Sequence, residues 1–255
     1  HAASLLADAM NSTASSEAVA SWTAATAVWG CASLDLASPL ELRRRASGAH
    51  FALHVGAVRP ALDAIAASSG GDATAAPPTV AAAAVAALAE ELPLRCEDIS
   101  SGSATPTRAR IAEDRGTAWL SDSGLSFSYA GKTMDPTGRL SPYVRHIRDA
   151  TENATGEWYC SVLCNHYPDG RSGMRFHADP GQGDEGGWGF STCVVSCGEP
   201  RTFIFRRTDD PNTRCTFVVR HGDVLHMYGK CQQQWQHSVL REAPGGELEE
   251  EATDV

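Results

Sequence analysis

Two textures of apolar spacing divide the chain. Up to about position 93 the apolar positions are mostly alanine: thirty of the 40 Ala residues precede Glu91, in helical rather than alternating order. Residues 1–78 read as helical pieces broken at Gly48, at Pro60 and in a loop over 68–78. Thr79 is placed to N-cap a helix over 80–92, which Pro93 stops. Beyond Leu94 alanine is scarce, and short apolar runs alternate with Gly, Asp and Pro turns. They predict strands over 125–130, 158–167, 174–179, 190–197, 202–207, 214–220, 223–228 and 235–240, with one helix over 142–151. Many short strands at close spacing predict a mainly β sandwich or roll. The expected division is an Ala-rich helical part over 1–78, of no legible role, and a β domain over 79–255.

Composition narrows the classes. With 42% apolar and 20% charged residues the chain is neither fibrous nor wholly disordered. No apolar run reaches the length of a membrane helix, so no membrane partner is expected. The first residues, His1-Ala2-Ala3-Ser4, lack a Met and a basic n-region, so no signal peptide is expected. The Asn-x-Ser/Thr triplets at Asn11 and Asn153 are short enough to arise by chance. Eight Cys without a C-x-x-C pair exclude a disulfide scaffold and a zinc knuckle, and predict buried or idle thiols in an intracellular, reducing compartment. A monomer is the expected state. The net charge of −10 argues against a nucleic-acid partner. Much of it sits in the tail after His237, where Glu242, Glu247, Glu249, Glu250, Glu251 and Asp254 face only Arg241. Of 21 basic residues 19 are Arg, the side chain suited to bidentate phosphate contacts.

The candidate chemistry is His177-Ala178-Asp179 on a predicted strand, with His237 sixty residues on. Side chains two apart on a strand share a face. His177 and Asp179 can therefore point together into the mouth of a β roll. A third His from a distant strand completes a two-His, one-carboxylate triad, which leaves open positions and suits non-haem Fe(II). Zinc is more usually held by a closed set of four, or by three ligands and water. H-x-D is a short pattern, and His221 or His226 could also be proposed as the distal ligand, although a lone exposed or core His is the default for each.

Around this pattern lie ordered blocks: Phe127-Ser-Tyr129-Ala-Gly131, then Leu163-Cys-Asn165-His-Tyr167-Pro-Asp-Gly170, then Ser196-Cys-Gly198-Glu-Pro-Arg201-Thr-Phe203-Ile-Phe205-Arg206, Gly222-Asp-Val-Leu225-His-Met227-Tyr-Gly229 and Trp235-Gln-His237-Ser-Val239. Together they resemble the core of AlkB-type Fe(II)/2-oxoglutarate dioxygenases, over about 108–239. The resemblance implies a double-stranded β-helix (jelly-roll) core with flanking helices. It implies that His177, Asp179 and His237 hold iron, His237 being preferred because it follows Trp235-Gln236. It also implies that Asn165 and Tyr167 bind 2-oxoglutarate and that Tyr129 stacks on a substrate base. The implied reaction is oxidative N-demethylation of methylated DNA or RNA, as in DNA repair. The base would be single-stranded or flipped, because a paired base cannot reach a metal. Protein or lipid substrates, or a catalytically inactive binding module, are the alternative expectations.

Two departures qualify the match. The family binds the distal carboxylate of 2-oxoglutarate with an Arg on a final strand, but only Arg241 follows His237, four residues on and too early. The expectation is that this strand is missing from the sequence. After Asp179 comes Pro180-Gly181, with Asp184 and Glu185 later in a Gly-rich loop containing Trp188, where repair members often carry an acidic residue directly. That loop reads as a connector or a substrate-side lid.

Overall fold

The computed structural model describes residues 24–30, 50–70, 77–100, 110–129, 131–180, 191–242 and 248–249. A six-stranded antiparallel sheet and a four-stranded one form its centre. The larger sheet runs in the order β2 (Phe51–His54), β13 (Val224–Met227), β10 (Thr192–Cys197), β1 (Ala24–Gly30), β8 (Ser161–Tyr167), β5 (Gly116–Ser121). The smaller runs β12 (Arg214–Val219), β11 (Arg201–Arg207), β14 (Trp235–Val239), β9 (Met174–His177). Three short pairs flank them: β3 (Asp98–Ser100) with β4 (Arg110–Ala112), β6 (Phe127–Tyr129) with β7 (Lys132–Met134), and β15 (Arg241–Glu242) with β16 (Leu248–Glu249).

The larger sheet is apolar on both faces, which sorts its side chains by parity. One face carries Val162, Cys164, Cys193, Val195, Cys197 and Val224. Against it pack three helices, α1 (Arg59–Ser68), α2 (Pro77–Glu91) and α3 (Pro142–Thr155), through Leu62, Ile65, Val85, Leu88, Val144 and Ile147. The other face carries Tyr167, Val194, Leu225 and Met227, which meet Phe203, Phe205 and Val239 of the smaller sheet. Each such side chain is worth about 1.5–3 kcal/mol when fully buried. The space between the sheets is thus closed by apolar packing on its floor, and the chemistry lies at one side of it.

The predicted strands of the second half are present as β6 and β8–β14, most of them shorter than the apolar runs suggested. The helix starting at Pro142 runs one turn further than expected. Ser141 caps it by accepting from Val144 N at 3.4 Å, Pro142 occupies its first turn, and Gly156 ends it at φ 73°. The expectations for 1–78 need correction. Among its described residues only α1 and the first two residues of α2, Pro77 and Pro78, are helical; Ala24–Gly30 and Phe51–His54 are strands of the larger sheet. β1 pairs with both β8 and β10, and β2 with β13, so this part joins the β core. α2 begins at Pro77, two residues before Thr79, which is therefore inside the helix and not its cap. β5 went unpredicted because its apolar core is only Ala118-Trp119-Leu120, although all six of its residues are buried. The described cysteines are free thiols; five are buried, Cys215 is half-buried and Cys96 exposed.

Candidate metal centre

His177 ends β9 and lies directly across from His237 on β14. Their ring centroids are 4.2 Å apart. A bulge between the two strands, with Val239 opposite Met174, resets the register beyond this pair. Asp179 is not on the strand, which ends two residues earlier. Its main-chain N–H instead donates to the Gln232 side chain at 2.9 Å, so the chain leaves the sheet there and the carboxylate swings between the two imidazoles. Asp179 Oδ1 stands 3.7 Å from His177 Nε2 and 3.7 Å from His237 Nε2. Among the described residues these three form the group able to hold a metal, with one donor atom from each within 4.8 Å of the others.

Electrostatics and hydrogen bonds suit a cation. Burial raises the Asp179 carboxyl above its usual range, a rise that the neighbouring His177 only partly offsets. Burial, and then His177, push His237 well below the ordinary imidazole value. Two imidazoles and a carboxylate are thus collected at one place, with Asp179 and His237 buried, and a divalent ion would compensate the carboxylate's charge there. His177 Nδ1 lies 2.8 Å from the Arg175 carbonyl, an acceptor, so the proton belongs on Nδ1 and the Nε2 lone pair faces Asp179. Phe203 stacks near His237, at 5.4 Å between centroids, and Phe205 lies at 5.9 Å, so aromatic packing fixes that ring.

Exposure is one-sided. The His177 side chain is 34% exposed, against 6% for Asp179 and 4% for His237. The alternative distal ligands are elsewhere: His221 accepts from Gly198 N and faces Asp63, while His226 is fully buried on β13 beside Ser191.

Asn165 and Tyr167 share the inner face of β8, both buried. Two arginines that sequence reasoning missed border them. Arg115 Nε donates to Asn165 Oδ1 at 2.9 Å, and the Arg201 guanidinium lies 5.2 Å from the Tyr167 ring. Arg201 is buried; its Nη2 donates to the carbonyls of Ser172 and Leu240, while among the described residues its Nε has no hydrogen-bond partner, a carboxylate oxygen of Glu242 lying 3.9 Å away. An amide, a phenol and buried guanidinium groups fit a small dicarboxylate. Arg241, in contrast, pairs with Asp114 at 2.9 Å.

Tyr129 is half-buried on β6, and its hydroxyl donates to Glu113 Oε1 at 2.7 Å. Glu113 is a hub. It also receives Arg115 Nη2 at 2.9 Å and Lys132 Nζ at 3.0 Å, so one buried network joins Tyr129 to Asn165. Nothing in the sequence marks it, since Glu113 and Arg115 sit in an unpatterned polar run. The loop containing Asp184, Glu185 and Trp188 lies outside the described residues.

Comparison with known proteins bears on this geometry. The profile of the 2OG-Fe(II) oxygenase superfamily matches residues 74–253. An uncharacterized protein of Acanthamoeba polyphaga mimivirus, R406, is 32% identical over 147 residues, 55% of this chain and 73% of that protein. Human alpha-ketoglutarate-dependent dioxygenase alkB homolog 3 is 32% identical over 159 residues, 58% of this chain and 54% of its own length. The human DNA oxidative demethylase ALKBH2 is 32% identical over 132 residues, 49% of each chain. The chain thus spans about half the length of these two human relatives. A profile match over more than half of the sequence, on a jelly-roll whose two facing strands bring His177 and His237 together beside Asp179, establishes that the chain belongs to the 2OG-Fe(II) oxygenase superfamily, as an AlkB-like dioxygenase with Fe(II) and 2-oxoglutarate as its cofactors.

Proposed function

We propose that this protein oxidatively removes N-methyl groups from bases of DNA or RNA. His177, Asp179 and His237 hold Fe(II), Asn165 and Tyr167 hold 2-oxoglutarate, and Tyr129 packs against the base. The observation that carries the reading is the one-sided exposure of the donor group: the His177 edge is open while Asp179 and His237 are sealed. Among the described residues, the His177 edge is therefore the side of the group open to a flat substrate. One relative, the human DNA oxidative demethylase ALKBH2, supports this substrate class by its name.

When bound, Fe(II) and 2-oxoglutarate supply with O2 the oxidation of an N-methyl carbon, giving succinate and CO2. The protein's own part is placement. The Arg175 carbonyl holds the His177 tautomer, and Phe203 and Phe205 hold His237 and keep water from the floor. The hydroxymethyl product then breaks its C–N bond; nitrogen keeps the electron pair and takes a proton, the hydroxyl loses one, and formaldehyde leaves. A base must be flipped or single-stranded to enter. Stacking on Tyr129, worth about 1–3 kcal/mol, offsets part of the unstacking cost. The net charge of −10 favours a protein substrate as a second reading.

The test is intact-mass analysis of single- and double-stranded methylated oligonucleotides incubated with protein, Fe(II), ascorbate and 2-oxoglutarate, with succinate measured in parallel. Loss of one methylene from an oligonucleotide, absent with His177→Ala, is expected. Succinate formed with every oligonucleotide unchanged would overturn the nucleic-acid reading.

A further inference from the structure

The carboxylate of Asp179 has two oxygens in different situations. Oδ1 faces the two imidazole nitrogens at 3.7 Å each. Oδ2 is turned away and accepts from Gln232 Nε2 at 2.9 Å and from Thr192 Oγ1 at 3.3 Å. The same Gln232 amide accepts the Asp179 main-chain N–H through Oε1 at 2.9 Å. One side chain therefore brackets one residue at both ends, fixing the carboxylate torsion as well as the backbone that carries it. Gln232 is itself held: its Nε2 lies 3.3 Å from Thr192 Oγ1 and 3.4 Å from Met227 Sδ. It sits on α4 (Cys231–Gln234), the short helix that leads directly into β14 and His237. The segment that delivers one imidazole thus also aims the carboxylate.

We infer that Gln232, seconded by Thr192, is a positioning residue that keeps Asp179 a one-oxygen ligand. The inference rests on the reading of His177, Asp179 and His237 as the metal group. A carboxylate free to rotate can offer both oxygens to a hard divalent ion and fill a position that the reaction needs open. Neutral donors on Oδ2 prevent this by occupying its lone pairs, and they do so without an added charge that would oppose the cation. A carboxamide is the suitable group: a Glu at 232 would place a second negative charge against Oδ2, and an Ala would leave both Oδ2 and the Asp179 N–H without this partner.

The experiment uses the metals alone, with no substrate and no turnover. Mn(II) and Co(II) affinities are measured by calorimetry on the metal-free protein, and the intensity of the Co(II) visible bands reports coordination number. Gln232→Ala is expected to weaken binding about 10- to 100-fold, as loss of a partner behind a metal ligand does. It is also expected to change the Co(II) band intensity, a change that the fall of several degrees in the thermal midpoint caused by the lost hydrogen bonds would not by itself produce. Gln232→Glu is expected to alter the Co(II) spectrum as well, and Thr192→Ala to give a smaller change in the same direction. Parent-like affinity and an unchanged spectrum in Gln232→Ala, with binding lost in His177→Ala, would overturn the role of Gln232 and leave the metal group standing. Parent-like binding in both His177→Ala and Asp179→Ala would overturn the metal group itself.

Discussion

Replacing Glu113 with Ala removes the one carboxylate that two buried cations share. Its side chain is fully buried, and those of Arg115 and Lys132 are 5% and 6% exposed. Removing one partner of a buried ion pair generally costs about 3–5 kcal/mol, because the survivor keeps its desolvation without compensation. Here each survivor retains something. Lys132 Nζ still has Glu97 Oε2 at 3.0 Å, a half-exposed partner, and Arg115 Nε still donates to Asn165 Oδ1 at 2.9 Å. The expected loss therefore lies at the lower end, about 3 kcal/mol, which is roughly 6–12 °C in Tm for a chain of this size. Glu113→Gln, which keeps the shape and one acceptor but not the charge, should fall between parent and Ala. Urea and thermal denaturation of the metal-free protein measure both variants. A loss below about 1 kcal/mol for Glu113→Ala would refute the reasoning, since that is the worth of an exposed pair.

Two further outcomes follow from the packing of α1 against the turn before β13. Gly222 has φ +88°, and a Cβ there would lie 2.5 Å from Arg59 Cβ and 2.7 Å from its Cα, so Gly222→Ala should cost about 2 kcal/mol or more. Gly56→Ala, at φ +62° with nothing within 4 Å among the described residues, should cost only the conformational strain, about 1–2 kcal/mol; equal melting shifts in the two would discount the Arg59 contact. His221 is held below its ordinary value by burial, with Asp63 opposing the shift, so the unfolded chain binds a proton here before the folded one does. Its stabilising contribution is present above about pH 6.5 and is lost as pH falls below it. The urea midpoint of the parent should therefore fall more steeply than that of His221→Gln over this window, and parallel curves would sink the assignment.

The second half of the chain was legible because its signals are local. Strand runs such as Thr192–Cys197 and Arg201–Arg207 are apolar enough to be buried on both faces, and turns marked by Gly, Pro and Asp separate them. His177 and Asp179 could be proposed because an H-x-D pair survives in a linear reading, and His237, sixty residues on, because of the motif block that carries it. Alanine misled the first part. It favours helix in isolation, yet Ala24–Gly30 is a strand whose partners lie at Ser161–Tyr167 and Thr192–Cys197, so pairing across more than a hundred residues overrode propensity.

The sequence by itself thus determined the β character of residues beyond 94, the helix opened by Ser141-Pro142, and the identity of the candidate ligands. Spacing left His221 and His226 open as distal ligands, and the motif blocks preferred His237. Only the tertiary structure supplies the geometry, in which the cross-strand register of β14 with β9 puts His237 opposite His177. It alone also decided the surroundings: Gln232 on both ends of Asp179, and Glu113 and Arg115 linking Tyr129 to Asn165. The physical reason is that a polar side chain acquires its role from what it is buried against. That depends on strand pairing between distant segments, and no local pattern encodes it.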